Sequence, residues 1–376
     1  MDPKRKVTAN IARLNALMDE AGLDALVLRS GQNFTYLSGV VYPGTLARHL
    51  DLADSMRAVL LFWPRNGTPV ILADKVAAGL AQRDSWVESV KIYDAYVESP
   101  YEKMIHVIND AGLAAGKVGF EKDYVSAAYW DALTKAAPKL EIVDCTNLLD
   151  RVRWIKTADE IEMLRCAADL LDDVYLEVFR RIKPGDAERK IHADMVATCL
   201  ARGFEWVHGI LNSHRNTIPY AGESDFIIEY GDVIRTDYVA YLHGYPGHQS
   251  RTVIVGTPTA AQRRDYAINL EVYRNTIDRC RAGTKVGDLF QYTMGEYRKH
   301  GWPSSHILIG HGVGPWWHQQ APILRKGSEV HLEEGMALAL EPHVNFWHVQ
   351  DMILVQQDAP ILLSAKFNTD EPFVVG

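Results

Sequence analysis

The chain has 376 residues, of which 47% are hydrophobic, and a formal net charge of -8. This composition argues against intrinsic disorder, and the negative charge with scattered Lys and Arg argues against a nucleic-acid or anionic-membrane partner. The longest apolar stretch, Ala58 to Trp63, is far shorter than the roughly 20 residues of a membrane-spanning helix. We therefore expect a soluble cytoplasmic protein of two domains whose four cysteines are reduced.

The first 150 residues alternate between helical and strand patterns. Apolar residues at helical spacing run from Ile11 to Met18, and Gly22 follows as a C-cap candidate. A strand at 25–28 and a β-hairpin with Asn66 and Gly67 in its turn come next. The later predicted elements are a helix at 101–111, a strand at 118–121, a helix at 126–135 and a strand at 140–143. This alternation predicts a small α/β domain over residues 1–150.

The pattern changes over residues 151–376. Two helices are predicted at 158–181 and 186–202, with Pro184 and Gly185 between them. The later predicted elements are strands at 233–240, 251–255, 336–340 and 352–355, and one helix at 260–281. Helices and strands in this order predict a domain of the α+β class built around one sheet.

Five segments of the second half carry motifs whose order and spacing match a known pattern. They are Arg153–Ile161, Gly231–Asp237, His248–Thr252, Gly310–Gly314 followed by His318, and Gly335–Pro342 followed by Gln350. Together they resemble the pita-bread superfamily, which contains prolidase, aminopeptidase P and creatinase. The resemblance implies a C-terminal pita-bread domain, preceded by a smaller creatinase-type α/β domain that forms a homodimer.

The metal positions of that superfamily are altered in this chain. Its metallopeptidases hold two divalent ions with two aspartates, two glutamates and a histidine. The matching positions here are Asp237, His248, His311, Glu341 and Gln350, so four carboxylates become two. Two dications would leave positive charge uncompensated in a site of low dielectric constant, at a cost of several kcal/mol per ion. We therefore expect no two-metal centre.

Two descriptions of the centre remain open. His248, His311 and Glu341 form a two-histidine, one-carboxylate set that can hold a single zinc, iron or manganese ion. The same residues can also perform acid-base chemistry without metal, as the resemblance to creatinase implies. An inactive site is less favoured, because several histidines and carboxylates are expensive to bury without use.

The predicted catalytic residues are His311, Glu341, Asp237, His248 and His318. A histidine such as His311 suits a metal ligand or a general acid or base near neutral pH. Glu341 is expected to hold an N–H-bearing substrate group or to orient water. Asp237 is expected to fix the tautomer of a neighbouring imidazole.

The predicted substrate-binding residues are Tyr220, Trp316, Trp317, Arg57 and Gln350. Tyr220 stands where peptidases and creatinase place a histidine, and the tryptophans can form a water-excluding wall. Arg57 aligns with an arginine that, in creatinase, crosses the dimer interface to bind a substrate carboxylate. Arg48 is an alternative to Arg57, and His214 is a weaker candidate for the missing base.

These observations favour a non-peptidase hydrolase or lyase, similar to creatinase, that breaks a C–N bond of a small carboxylated nitrogen compound. The first alternative is an Xaa-Pro metallopeptidase of the prolidase or aminopeptidase P type with an unusual site. The second is a binding module without catalytic activity, which the same fold also supports.

Overall fold

The computed structural model describes residues 7–218, 224–302 and 306–376. The chain divides into two units, Met1–Arg153 and Trp154–Gly376. Among the described residues, no helix combines the length and apolar character needed to cross a membrane.

The first unit contains a mixed sheet between helices. Its strands are β1 (Ala25–Arg29), β2 (Leu60–Pro64), β3 (Val70–Asp74), β4 (Ser89–Tyr93), β5 (Lys117–Phe120) and β6 (Glu141–Asp144), in the order β4-β3-β2-β1-β5-β6. Its helices are α1 (Ile11–Ala21), α2 (Gln32–Ser38), α3 (Gly44–Leu50), α4 (Lys75–Asp84), α5 (Pro100–Asp110), α6 (Ala127–Ala136) and α7 (Thr146–Trp154), the last of which ends at the start of the second unit.

Both faces of this sheet are buried, which explains the continuous apolar runs of its central strands. Side chains alternate along a strand, so Leu26 and Leu28 pack against α1 on one face. Val27 and Phe62 pack against α5 on the other face. The predicted α/β pattern of this unit is confirmed, including the hairpin and the left-handed Gly22 cap of α1.

The second unit begins with two long helices and continues with strands. Its helices are α8 (Ala158–Phe179), α9 (Glu188–Ala201), α10 (Ala260–Ile277) and α11 (Val286–Lys299). Its strands are β7 (Trp206–Ser213), β8 (Val233–Leu242), β9 (Tyr245–Gln249), β10 (Thr252–Val255), β11 (Leu308–Gly312), β12 (Gln320–Arg325), β13 (Ala337–Leu340), β14 (Asp351–Leu354), β15 (Ile361–Leu362) and β16 (Phe373–Val375).

The expectation of a single sheet in this unit is wrong. The described strands form two sheets, one in the order β16-β10-β8-β7 with β9 also paired to β8, and one in the order β12-β11-β13-β14-β15. Ser250 and Gln350 join them through two backbone hydrogen bonds of 3.1 and 3.3 Å. Strand propensity predicts where strands lie, but it does not predict which strands pair, so one sheet and two joined sheets look alike in sequence.

A buried ion network holds the junction of the two sheets. Nη2 of Arg251 lies 2.8 Å from a carboxylate oxygen of Asp172 on α8 and 2.8 Å from one of Asp351 on β14. The hydroxyl of Tyr273 on α10 donates to the second oxygen of Asp351 at 2.6 Å. All four side chains are almost completely buried. Because each charge is paired and hydrogen-bonded, the network supports the strands that carry the site described next.

Candidate functional site

One cavity of the second unit collects most of the predicted site residues. Its volume is about 630 Å³. Half of the 14 histidines of the chain line it, namely His208, His248, His306, His311, His318, His343 and His348. The charged lining residues are Arg235, Asp237 and Glu341. A concave site with so many titratable groups is the best candidate for an active site in this unit.

Asp237 and His248 face each other because β8 and β9 pair in antiparallel register, with Val239 opposite His248. Nε2 of His248 lies 3.1 Å from Oδ1 of Asp237. A carboxylate only accepts, so His248 donates from Nε2 and keeps a lone pair on Nδ1. Burial would raise the pKa of Asp237, but the bond from His248 and the charges of nearby imidazoles outweigh it and hold that pKa well below its usual range.

The backbone defines the tautomer of His311 on β11. Its Nδ1 lies 2.9 Å from the carbonyl oxygen of Gly312, which can only accept, so Nδ1 carries the proton and Nε2 keeps a lone pair. Nε2 lies 3.8 Å from Oε1 of Glu341. Burial, followed by the charge of His248, lowers the pKa of His311 to about 3, so the imidazole is neutral at pH 7.

His318 completes a cluster of three imidazoles. Its Nδ1 lies 3.3 Å from the hydroxyl of Tyr241, and its backbone N–H donates to the same hydroxyl at 3.0 Å. Burial, followed by the charge of His248, strongly lowers the pKa of His318. One nitrogen from each of His248, His311 and His318 lies within 4.8 Å of the others.

This cluster is a candidate site for a metal ion. Nδ1 of His248 is buried and has no hydrogen-bond partner in the part of the chain that the structure describes, so its lone pair is not used by the protein. Nε2 of His311 is a second lone-pair donor, and the bond to Asp237 is the kind of carboxylate partner that metal-binding histidines have. The tightest set therefore contains His318 in place of the predicted Glu341.

Glu341 lies at the end of β13, beside this cluster. Burial, followed by the charge of Asp237, raises the pKa of Glu341 to about 8. Its carboxyl group is therefore mostly protonated at pH 7, and Asp237 is the ionised carboxylate of the pair.

Trp317 and His208 form an aromatic wall of the cavity. Their rings stack with centroids 5.6 Å apart and planes 7° apart, and Trp206 extends the stack on Trp317 at 6.4 Å. Burial, followed by the charge of His248, lowers the pKa of His208 to about 4. Of the two predicted tryptophans, Trp317 lines the cavity, whereas Trp316 is not among the lining residues.

A second group of histidines lines the same cavity and was not predicted from the sequence. His343 lies between His306 and His348, with ring centroids 4.1 Å apart in both pairs. Its ring stacks on that of His348 and is tilted by 57° to that of His306. Arg235 lines the cavity beside them. Arg235 could have been found, because it stands two residues before Asp237 on one strand and so shares its face. The histidines carry no comparable signal, since turns and loops bring them together.

Two further predicted residues do not line the cavity, and a third is outside the part of the chain that the structure describes. Gln350 is fully buried and does not line the cavity, and its Oε1 accepts from the Ser250 hydroxyl at 2.9 Å. Arg57 belongs to the first unit, where its Nε lies 3.7 Å from a carboxylate oxygen of Asp74. Tyr220 lies outside the described residues.

The structure also shows where the two weaker candidates, Arg48 and His214, lie. Arg48 lies in the last turn of α3 in the first unit. His214 is partly exposed after β7, and its Nδ1 accepts from the backbone N–H of Val233 at 3.1 Å. It is not among the residues that line the cavity.

Comparison with known protein families gives two matches that follow one another along the chain. Residues 162–357 match metallopeptidase family M24. Residues 10–155 match the creatinase/prolidase N-terminal domain. These matches confirm both the predicted superfamily and the predicted architecture of a creatinase-type domain before a pita-bread domain.

Relatives cover nearly the whole chain at low identity. The probable dipeptidase PepE of Mycobacterium tuberculosis is 24% identical over 369 residues, which is 93% of this chain and 92% of its own. The Xaa-Pro dipeptidase of Lactobacillus helveticus is 24% identical over 342 residues, 89% of each chain. The crystal structure of the X-Pro aminopeptidase from Thermotoga maritima matches the fold with a TM-score of 0.83, at 20% identity and with 97% of this chain and 99% of that chain covered.

The names of these relatives bear on the predicted reaction. They are hydrolases that act on peptides, and they agree with the alternative expectation of a metallopeptidase. The favoured expectation, a non-peptidase enzyme similar to creatinase, finds no support among them. The chain is therefore a hydrolase. Its residues at the metal positions still differ from the pattern of the superfamily.

Proposed function

Since this chain belongs to metallopeptidase family M24, we propose that it is a dipeptidase or Xaa-Pro peptidase that works with a single divalent metal ion. The observation that carries this proposal is the cluster of His248, His311 and His318, with one nitrogen of each within 4.8 Å of the others. Three imidazole ligands suit zinc, iron or manganese and leave a coordination position open for other groups.

The ligand atoms are set before an ion arrives. The bond to Asp237 leaves the lone pair of His248 on Nδ1, and the bond to the carbonyl of Gly312 leaves that of His311 on Nε2. The third ligand is His318, whose ring is held by the Tyr241 hydroxyl. When bound, a divalent ion supplies Lewis acidity, which polarises a carbonyl group and acidifies water.

Other residues that line the cavity transfer a proton and keep water away from the substrate. Glu341, with its pKa raised to about 8, holds a proton near neutral pH; it delivers this proton to the leaving amine nitrogen as the C–N bond breaks, and its carboxylate then takes up the proton that the attacking water releases. Trp317 and His208 cover one side of the cavity and keep bulk water away from the reacting bond. Each of these steps needs only groups that line the cavity.

Metal analysis and peptidase assays test this proposal together. We expect about one ion per chain, hydrolysis of dipeptides including Xaa-Pro, loss of activity after chelation, and recovery when zinc, manganese or iron is restored. Replacing His318 by Ala should lower the metal content, whereas His106→Ala, at an exposed position of α5, should not change it. Two ions per chain, or full activity in chelated protein, would overturn the single-metal assignment.

We also propose that the enzyme is a homodimer in which Arg57 contacts the partner's substrate. The support lies in the first unit, where the Arg57 guanidinium sits 5.4 Å from the ring centre of Tyr96. Tyr96 and Val97 are 67% and 84% exposed, so an apolar surface adjoins this cation. Light scattering on the purified protein measures the oligomeric state, and a monomer would contradict the proposal.

A further inference from the structure

The ligand atoms of the candidate metal site are all nitrogen. The atoms that lie within 4.8 Å of one another belong to His248, His311 and His318, and no carboxylate oxygen of the described residues belongs to this set. An ion held there is bound by three imidazoles and by whatever enters from the cavity. The superfamily pattern, in contrast, surrounds its ions mainly with carboxylates.

The two carboxylates of the cavity lie outside this set. Oδ1 of Asp237 accepts from Nε2 of His248 at 3.1 Å, so Asp237 stands behind a ligand and not among the ligands. Oε1 of Glu341 lies 3.8 Å from Nε2 of His311, but Glu341 is not a member of the set. A carboxylate bonded to the far nitrogen of an imidazole makes that imidazole a stronger donor to a metal ion.

A set of this kind discriminates between divalent ions. Manganese and magnesium prefer oxygen, and their bonds are mainly electrostatic, so they depend on anionic ligands. Zinc is softer, binds imidazole well and needs only three protein ligands with a fourth position open. Neutral nitrogen ligands therefore keep the bonding that zinc uses and remove the negative charge that the harder ions need.

We propose that the imidazole of His248, at a position where the superfamily pattern has a carboxylate, makes this a zinc site that discriminates against manganese and magnesium. His248 sets the preference because it replaces an anionic oxygen by a neutral nitrogen, and Asp237 orients that nitrogen. This inference rests on the single-ion site of the proposed function. It adds the identity of the ion and the residue that selects it.

Metal titration against a chromophoric chelator tests this preference without an activity assay. We expect the wild type to bind zinc more tightly than manganese by on the order of 1,000-fold. Because zinc exceeds manganese at most protein sites, the decisive measurement is how this ratio changes in His248→Asp. That variant restores an oxygen ligand and a negative charge, so the ratio should fall by about 10-fold or more.

His208→Asp is the matched control. His208 lines the same cavity and stacks on Trp317, but it does not belong to the ligand set. A carboxylate at position 208 adds the same charge to the cavity without replacing a ligand. It should strengthen binding of both dications alike and leave their ratio within about twofold of the wild type.

X-ray absorption by the zinc-loaded protein counts the imidazole ligands directly. We expect three imidazoles in the wild type, as in the cluster of nitrogens, and one fewer in His248→Asp. The wild-type spectrum decides between the ligand sets even if His248→Asp does not fold or binds no metal. His318→Asp is a second variant that exchanges one imidazole for a carboxylate.

Two results would overturn the inference: fewer than three imidazoles around zinc in the wild type, or an unchanged ratio of zinc to manganese affinity in folded His248→Asp. If zinc is bound through three imidazoles and no peptide is cleaved, the peptidase proposal fails and the zinc site stands. If peptides are cleaved but residue 248 has no effect on metal preference, the peptidase proposal stands and the zinc site fails.

Discussion

Nε2 of His248 donates to Oδ1 of Asp237 over 3.1 Å, and this bond determines which nitrogen of His248 is left with a lone pair. The position at which the superfamily pattern has a carboxylate ligand is occupied by an imidazole, and the neighbouring aspartate orients it. In the proposed site, nitrogen atoms therefore take the place of carboxylate ligands.

Asp237→Asn tests the orienting role. The amide can donate to His248 and so permits the wrong tautomer, which withdraws Nδ1 as a ligand. We expect metal affinity or kcat to fall by about 10- to 100-fold with little change in fold. Metal titration with a competing chelator measures the loss, and Asp265→Asn on the surface of α10 is the control. Unchanged affinity and kcat would remove Asp237 from the site.

The Gln350→Glu variant tests the position at which the superfamily pattern has a carboxylate and this chain has an amide. Gln350 is fully buried and its Nε2 has no partner among the described residues, so a charge introduced there lacks compensation. We expect the metal-free variant to lose about 1–3 kcal/mol in free energy of unfolding, measured with urea. Gln291→Glu at an exposed position of α11 should be neutral. Because residue 350 does not line the cavity, the double variant His248→Asp, Gln350→Glu should not gain a second ion. Two ions in that variant would contradict this placement of residue 350.

The buried histidines predict that the metal-free protein is destabilised by acid. The unfolded chain binds protons on His311 and His348 below about pH 6.5, whereas the folded chain, with the pKa of His311 at about 3 and that of His348 well below normal, does not. The contribution of these two neutral imidazoles to the free energy of unfolding is therefore complete above about pH 6.5 and decreases as the pH falls. Each residue should cost about 1 kcal/mol at pH 5.5.

Urea unfolding of chelated protein between pH 5 and 7.5 measures this effect. His348→Leu should flatten the profile, and the exposed His106→Gln should leave it unchanged. Glu341 has the opposite pH dependence. Because its pKa is raised to about 8, its contribution to the free energy of unfolding decreases as the pH rises from about 4.5 to 8. Stability that increases steadily toward pH 5 would show that these imidazoles are charged in the folded state.

Mixed dimers test whether Arg57 acts across the subunit interface. Arg57→Ala and His311→Ala should each be inactive alone, because one lacks the substrate contact and the other a ligand of the site. Mixed subunits should regain activity, since one site of each mixed dimer then combines an intact His311 with the partner's intact arginine. Absence of recovery in dimers shown to exchange subunits would place Arg57 outside the site. Arg48→Ala, the alternative candidate on α3, is tested in the same mixtures.

Much of the fold follows from local physics that one chain already contains. The helical spacing of apolar residues predicted α1, α5, α8 and α9 within a few residues of their observed ends. The short helices α2 to α4 and the strands β7 and β9 were not predicted. Their residues are ordered by tertiary packing rather than by strong local patterns.

The sequence by itself determined the family pattern and the loss of carboxylates at 248 and 350, because both are properties of residue identity at fixed spacing. Only the tertiary structure decided that His318 completes the cluster and that Gln350 lies outside the cavity wall. It also decided that Arg235 shares the cavity with His306, His343 and His348. Ligand distance, tautomer and pKa depend on which strands pair and what they bury, and those contacts join residues that are far apart along the chain.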